Sequence, residues 1–328
     1  MSTLSDVLVL AGGLDYERDV SLRSGRRVVD ALRHVGVRAQ MADVDESLVP
    51  RLIDSPPDAV FLALHGAAGE DGAVRGVLEL LDVPYAGTTS AAARLSWDKP
   101  SAKLTAREAG LDTPEWVALP HSTFRELGAQ RVMERIIERL GLPLMVKPAQ
   151  GGSSLGCDIV EAPDELPRAM IGCFAYGNVA LVERFVRGTE VAISIIETDD
   201  GPAALPAVEI AANDGAYDYT ARYTAGMTSY HVPARLDDES SERVSRFAVA
   251  AHRALHLRDF SRVDAIVDHA GRPQFLEVDI SPGVTDTSLF PMAVEASGRD
   301  LGEVCRQLLM RAVDRYATVG SDDEPDIA

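Results

Sequence analysis

Residues 274–291 read QFLEVDISPGVTDTSLFP, and two features of this stretch pull against each other. Phe275 and Leu276 open an apolar strand, yet Glu277 and Asp279 follow two positions apart. Successive strand side chains alternate faces, so both carboxylates leave the strand on the same side, where like charges repel. One resolution is a strand end at the surface with a solvated acidic edge. The other is a divalent cation between the two, since hard cations take oxygen ligands and neutralise such a pair. A Ser-Pro-Gly turn follows at 281–283.

Working outward, Ser261 to Asp268 and Arg272 to Asp279 read as paired strands joined by the turn HAGRPQ, and the first of them carries Arg262 and Asp264. Further upstream, VERFVRGTE holds Glu183 and Glu190. Before it, VKPAQGGSSLG (146–156) ends an apolar strand on Lys147 and continues into glycine and serine. Such a loop is either a flexible turn or a phosphate cradle of backbone N–H groups and hydroxyls with an added lysine charge. It lacks the order of a P-loop, and AGGLDYERDVSL near the N-terminus departs from the dinucleotide fingerprint.

Length and composition bound the reading. A chain of 328 residues predicts two or three domains. With 46% hydrophobic and 25% charged residues it has the profile of a globular protein. No apolar run is long enough for a membrane helix, and the first residues lack a signal-peptide pattern, so a cytoplasmic enzyme is expected. Acidic residues outnumber basic ones by 51 to 32, a net charge of −19 that disfavours nucleic acid and anionic lipid as partners. The three scattered cysteines (157, 173 and 305) make neither a disulfide framework nor a zinc site, and none is assigned a role.

The first third alternates short apolar runs (7–10, 39–43, 59–64) with amphipathic segments (24–35, 73–81), a βαβ rhythm that predicts a parallel sheet over residues 1–98. The small-residue stretch 86–103 predicts a short helix and a boundary near Asp98. Residues 99–190 mix helices with strands at 115–119, 144–147, 157–160 and 179–184, an α+β unit. Residues 191–318 carry strands at 191–196 and 203–209, an irregular loop through 211–232, a helix within 239–255 and the terminal strand pair. The acidic end, 319–328, is expected to fray.

A lysine segment at 99, the Gly-Ser loop, the 183/190 acids and the 262/264/277/279 set, in this order, resemble the ATP-grasp superfamily. LAGGLDYERDVSLRSG, LALHGAAGEDGAVRGVLELLDVPYAG, DKPSAK, VKPAQGGSSLG, YDYTARY, SRVDAIV and FLEVDISPGVTDTSLFP, running from about residue 5 to 316, are similar to the D-alanine:D-alanine ligases. The resemblance implies an ATP-grasp fold with an N-terminal parallel-sheet domain and two further α+β domains. It also implies a reaction in which ATP phosphorylates the first amino acid's carboxylate and the second's amine attacks the acyl phosphate.

The resemblance also implies roles. Lys99 and Lys147 would hold the nucleotide phosphates, with Ser154 and Arg222 also at the nucleotide, Glu183 at the adenine amino group and Glu190 at the ribose. Two magnesium ions, with manganese as a substitute, would sit on Asp264, Glu277 and Asp279. Arg262 and the Gly283 amide would stabilise the developing oxyanion. Glu17 would bind the first ammonium in a triad with Ser153 and Tyr223 that closes the loop over the site. Ser288 and the Leu289 amide would hold the second carboxylate, and His65 would lie near the first substrate. The Gly-Ser loop and residues 211–232 would act as lids over ATP. Small amino-acid substrates and a homodimer are expected.

Four positions depart from the family pattern. Asp279 stands for asparagine, Arg222 for lysine, and Asp286 with Thr287 for serine and histidine near the second substrate. A buried, unpaired Asp286 would oppose a small neutral substrate. That leaves open a paralogue making a different dipeptide. A nucleotide binder that has lost ligation is opposed by Glu17, Ser153, Tyr223 and Arg262, which only substrate chemistry requires.

Overall fold

The computed structural model describes residues 4–152, 154–212 and 228–319. Ser153, Arg222 and Tyr223 therefore lie outside the described residues, as do most of the expected 211–232 loop and the acidic tail beyond 319.

Four short strands, β1 (Val7–Leu10), β2 (Ala39–Ala42), β3 (Ala59–Leu62) and β4 (Tyr85–Ala86), form the first sheet in the order β2-β1-β3-β4, all parallel. β1 and β3 are buried at every position, as strands covered on both faces must be. The covering helices are α1 (Arg18–His34), α2 (Leu48–Asp54), α3 (Ala67–Glu70) and α4 (Ala73–Leu80). Next come α5 (Ser90–Trp97) and α6 (Lys99–Glu108), which break at Asp98. There the Asp98 backbone is extended and its carboxylate accepts from the Ser101 N–H (3.1 Å), the local reason α6 begins at Lys99.

The second sheet is antiparallel, β5-β8-β6-β7, built from β5 (Trp116–Pro120), β6 (Leu144–Pro148), β7 (Asp158–Val160) and β8 (Val179–Arg184). Helices α7 (His121–Leu127), α8 (Ala129–Leu140) and α9 (Leu166–Phe174) close its core around Phe124, Leu144 and Met170.

The third sheet is also antiparallel. It comprises β9 (Thr189–Thr198), β10 (Gly201–Ala204), β11 (Val208–Ala212), β12 (Thr228–His231), β13 (Phe260–Val267) and β14 (Pro273–Asp279), in the order β12-β11-β9-β13-β14 with β10 also on β9. The single strand expected at 203–209 is corrected here. It is two strands, parted at Leu205-Pro206-Ala207, where proline lacks the N–H a ladder needs. Residues 228–231, expected as loop, pair with β11.

Helix α10 (Asp238–Ala254) packs with α5 and α6 on this sheet, around Val191, Val263 and Phe275. The closing helices α11 (Leu289–Ala296) and α12 (Leu301–Val319) return to the first sheet, and one core joins Val9 and Val28 to Ile196, Phe260, Phe290 and Leu308. Phe61 stacks on Phe260 with ring centres 5.6 Å apart. No helix among the described residues is long and apolar enough to cross a membrane.

Candidate active site

The carboxylates of residues 277 and 279 face β13. Register pairs Asp264 with Glu277 and Arg262 with Asp279 across the β13–β14 ladder, so three acids and one arginine share one patch. Arg262 grips Asp264 through two bonds of 2.7 Å and reaches Asp279 at 2.9 Å. Lys99 Nζ lies 3.3 Å from Glu277. Burial raises the Asp264 carboxyl above its ordinary range, and the charges of Glu277 and Asp279 add to that against the pull of Arg262. Three oxygen-donor side chains that repel one another, set against Arg262, Lys99 and, at Asp279, the Ser281 N–H (2.9 Å), are the donor type a hard divalent ion takes. Among the described residues no three such groups come together closely enough to hold a metal ion, and Arg262 and Lys99 are paired with these acids.

A cleft of about 1050 Å³ opens beside this patch. Its lining brings together Glu17, Lys99, Lys147, Ser154, Glu183, Glu190, Arg262, Asp264, Glu277 and Leu289, which lie as far as 272 positions apart in sequence. On one wall β6 carries Lys147 one residue before its end and passes into the Gly-Ser loop, where Ser154 takes a positive φ of 61°. Lys99 Nζ donates to the Gly151 carbonyl, tying the start of α6 to that loop. Glu183, on β8, is buried with Lys147 Nζ at 2.6 Å and Lys103 Nζ at 2.8 Å. Burial alone would raise the Glu183 carboxyl; Lys103 and Lys147 reverse this and hold it below its ordinary value.

Beneath the cleft lies a second cluster. His65 Nδ1 is 3.0 Å from the Ser281 carbonyl, which only accepts, so Nδ1 carries a proton. Its Nε2 is 3.0 Å from Ser24 Oγ, which in turn accepts from the Val284 N–H at 3.2 Å. A Cβ on Gly283 would sit 2.8 Å from Ser288 Oγ, so glycine alone lets this turn pack there. Ser288 caps α11 without using its side chain on the helix; its Oγ accepts from the Thr285 N–H at 2.9 Å. The first-turn N–H groups of α11, Leu289 included, have no partner within the helix, the kind of donor an anion can meet.

Asp286 does not face the cleft. It is 95% exposed and pairs with Arg27 at 3.1 Å, which corrects the picture of a buried, unpaired carboxylate opposing a substrate. Sequence reading also missed three groups. Lys103 is one turn beyond Lys99 on α6, a spacing that puts both on one face. Glu70, in HGAAGEDG, is buried and accepts from the Gly66 N–H at 2.9 Å; burial pushes its carboxyl well up, and the charges of Asp279 and Glu17 add to it. Arg75 is fully buried and donates to the carbonyls of Gly69 and Ile280, linking α3 to the turn after β14. Burial lowers its guanidinium to about 10.

Family models place this geometry. Residues 105–310 match the D-ala D-ala ligase C-terminus and residues 49–88 the D-ala D-ala ligase N-terminus. The D-alanine–D-alanine ligase of Pelotomaculum thermopropionicum is 39% identical over 306 residues, 93% of this chain and 96% of that protein. That of Desulforudis audaxviator is 40% identical over 309 residues, covering 94% and 98%. The crystal structure of D-alanine–D-alanine ligase from Bacillus anthracis complexed with ATP superposes with a TM-score of 0.80 at 29% identity, covering 97% of this chain and 100% of that one. With matching models over both parts and relatives of this identity along nearly its whole length, the chain belongs to the D-alanine–D-alanine ligase family.

Proposed function

We propose that the chain joins two D-alanine molecules at the expense of ATP, through an acyl phosphate, in the cleft between its second and third sheets. The observation that carries this reading is the convergence on one cleft of the Gly-Ser loop, Lys99, Lys147, Glu183, Glu190 and the Arg262 cluster. Relatives bearing the D-alanine–D-alanine ligase name over almost the full chain favour D-alanine over another amino acid, and the surface position of Asp286 removes the sequence argument for a different dipeptide.

In this reading Lys99 and Lys147 attract the triphosphate and Ser154 lies along it. Glu183 retains lone pairs beyond those used by its lysines and accepts from the adenine amino group, while Glu190 meets the ribose. Asp264, Glu277 and Asp279 would hold two magnesium ions, which would supply charge neutralisation for the phosphates. Arg262, which lies against these acids, would face the developing oxyanion with the Gly283 amide. Glu17 takes the first ammonium; the α11 N-terminus at Ser288 and Leu289 takes the second carboxylate, and His65 orients the Ser281–Val284 turn between them. Arg222, Ser153 and Tyr223 keep the roles the family resemblance gives them. A cytoplasmic homodimer belongs to the same reading, supported by the resemblance.

Glu277→Gln tests the metal assignment. Phosphate release with ATP, magnesium and D-alanine is expected to fall at least about a hundredfold while the fold is retained. Near-wild-type turnover removes Glu277 from the site.

A further inference from the structure

Lys103 is completely buried, in the middle of α6, and the family reading gives it no task. Its ammonium has three neighbours: Glu183 Oε2 at 2.8 Å, the Phe275 carbonyl at 3.3 Å and the Trp116 ring, whose centre is 5.3 Å away. A buried ammonium is expensive to keep unless its partners repay the lost hydration. Burial pushes Lys103 down to about 8, which leaves it charged at neutral pH. The same carboxylate also holds Lys147 Nζ at 2.6 Å on its other oxygen.

The charge count is what matters. Two ammoniums and one carboxylate leave the buried group with one net positive charge, and of the two lysines only Lys147 lines the cleft. Without Lys103, Lys147 and Glu183 would form a closed neutral pair, with the Lys147 ammonium drawn onto the carboxylate and away from the phosphates. We propose that Lys103 is a positioning residue for nucleotide binding: by holding one oxygen of Glu183 it leaves the charge of Lys147 available to the triphosphate. Glu277, the other acid near these lysines, has Lys99 at 3.3 Å as its own cationic partner. The inference rests on the cleft being the ATP site.

Lys103→Met tests it in the full-length protein, with MgATP affinity measured by equilibrium titration and KM for ATP and kcat measured by D-alanine-dependent phosphate release. The expected result is a rise of about tenfold in Kd and KM for ATP with kcat changed less than about threefold. In a Glu183→Gln background the carboxylate shared by the two lysines is gone, so adding Lys103→Met is expected to weaken ATP by less than about threefold. A role in folding alone would lower the melting temperature without this dependence on Glu183. If the methionine variant does not fold, Lys103→Gln, which keeps a donor for the Phe275 carbonyl, carries the same comparison. A folded variant with wild-type ATP affinity overturns the inference, as does an equal loss in both backgrounds. Wild-type protein that binds no MgATP would overturn the ligase reading itself, and this inference with it.

Discussion

Asp286 shows how a residue's meaning depends on what lies across from it. In the sequence it stands near the second substrate's clamp, whereas in the fold it projects into solvent against Arg27, 259 positions away. An exposed ion pair contributes little. Asp286→Ser is therefore expected to leave kcat/KM for D-alanine within about twofold of wild type; a change of tenfold or more would put the carboxylate back in the site. Glu183 is the opposite case, a carboxylate held below its ordinary value by Lys103 and Lys147 against burial. Because its folded pKa is the lower one, its contribution is fully present above the unfolded value and is lost as pH falls through the folded one. Melting temperature should consequently drop more steeply below about pH 4.5 in wild type than in Glu183→Gln. Parallel curves would count against the ion pairs. The motif residues of the cleft were legible one by one, because glycine, lysine and spaced carboxylates carry their chemistry in their identity. Lys103 was not, since its meaning comes from Glu183, 80 positions on, and from the absence of water around it.

At the scale of elements, the parallel sheet was readable because β1 and β3 are uninterrupted apolar runs, and the break between α5 and α6 because Asp98 is a cap. The division of 203–209 into β10 and β11 was not foreseen, although Pro206 is its visible cause. Asp98→Ala is expected to cost about 1 kcal/mol through loss of the α6 cap, read as a lower denaturation midpoint with unchanged slope. No shift would mean that packing alone fixes the start of α6. The approach of α12 to α1 left no sequence signal, because it depends on one missing side chain: a Cβ at Gly302 would lie 2.2 Å from the Ala31 carbonyl oxygen. Gly302→Val is expected to destabilise by about 1–3 kcal/mol, despite valine's being no larger than its neighbours in the core. Thermal melting at wild-type values would show that the two helices can part.

Across the whole molecule, the C-terminal helix fastens the first sheet to the third. Arg315 on α12 forms two bonds to Asp259, at 2.6 and 2.7 Å, and Asp259 also accepts from the Gly87 N–H at 2.7 Å. Asp259 is buried whereas Arg315 is 32% exposed, so Arg315→Ala should cost about 3 kcal/mol, the low end for orphaning a buried charge. This junction sets β13 and β14, with Asp264, Glu277 and Asp279, against the His65 cluster. The product proposed for this assembled cleft is D-alanyl-D-alanine. The most direct measurement is ATP-dependent phosphate release and dipeptide formation with magnesium across a panel of D- and L-amino acids. The expected result is one phosphate per D-alanyl-D-alanine, with D-alanine preferred and activity lost in Arg262→Ala. Absence of D-alanine-dependent turnover in wild type, or its full retention in Arg262→Ala, would contradict the account.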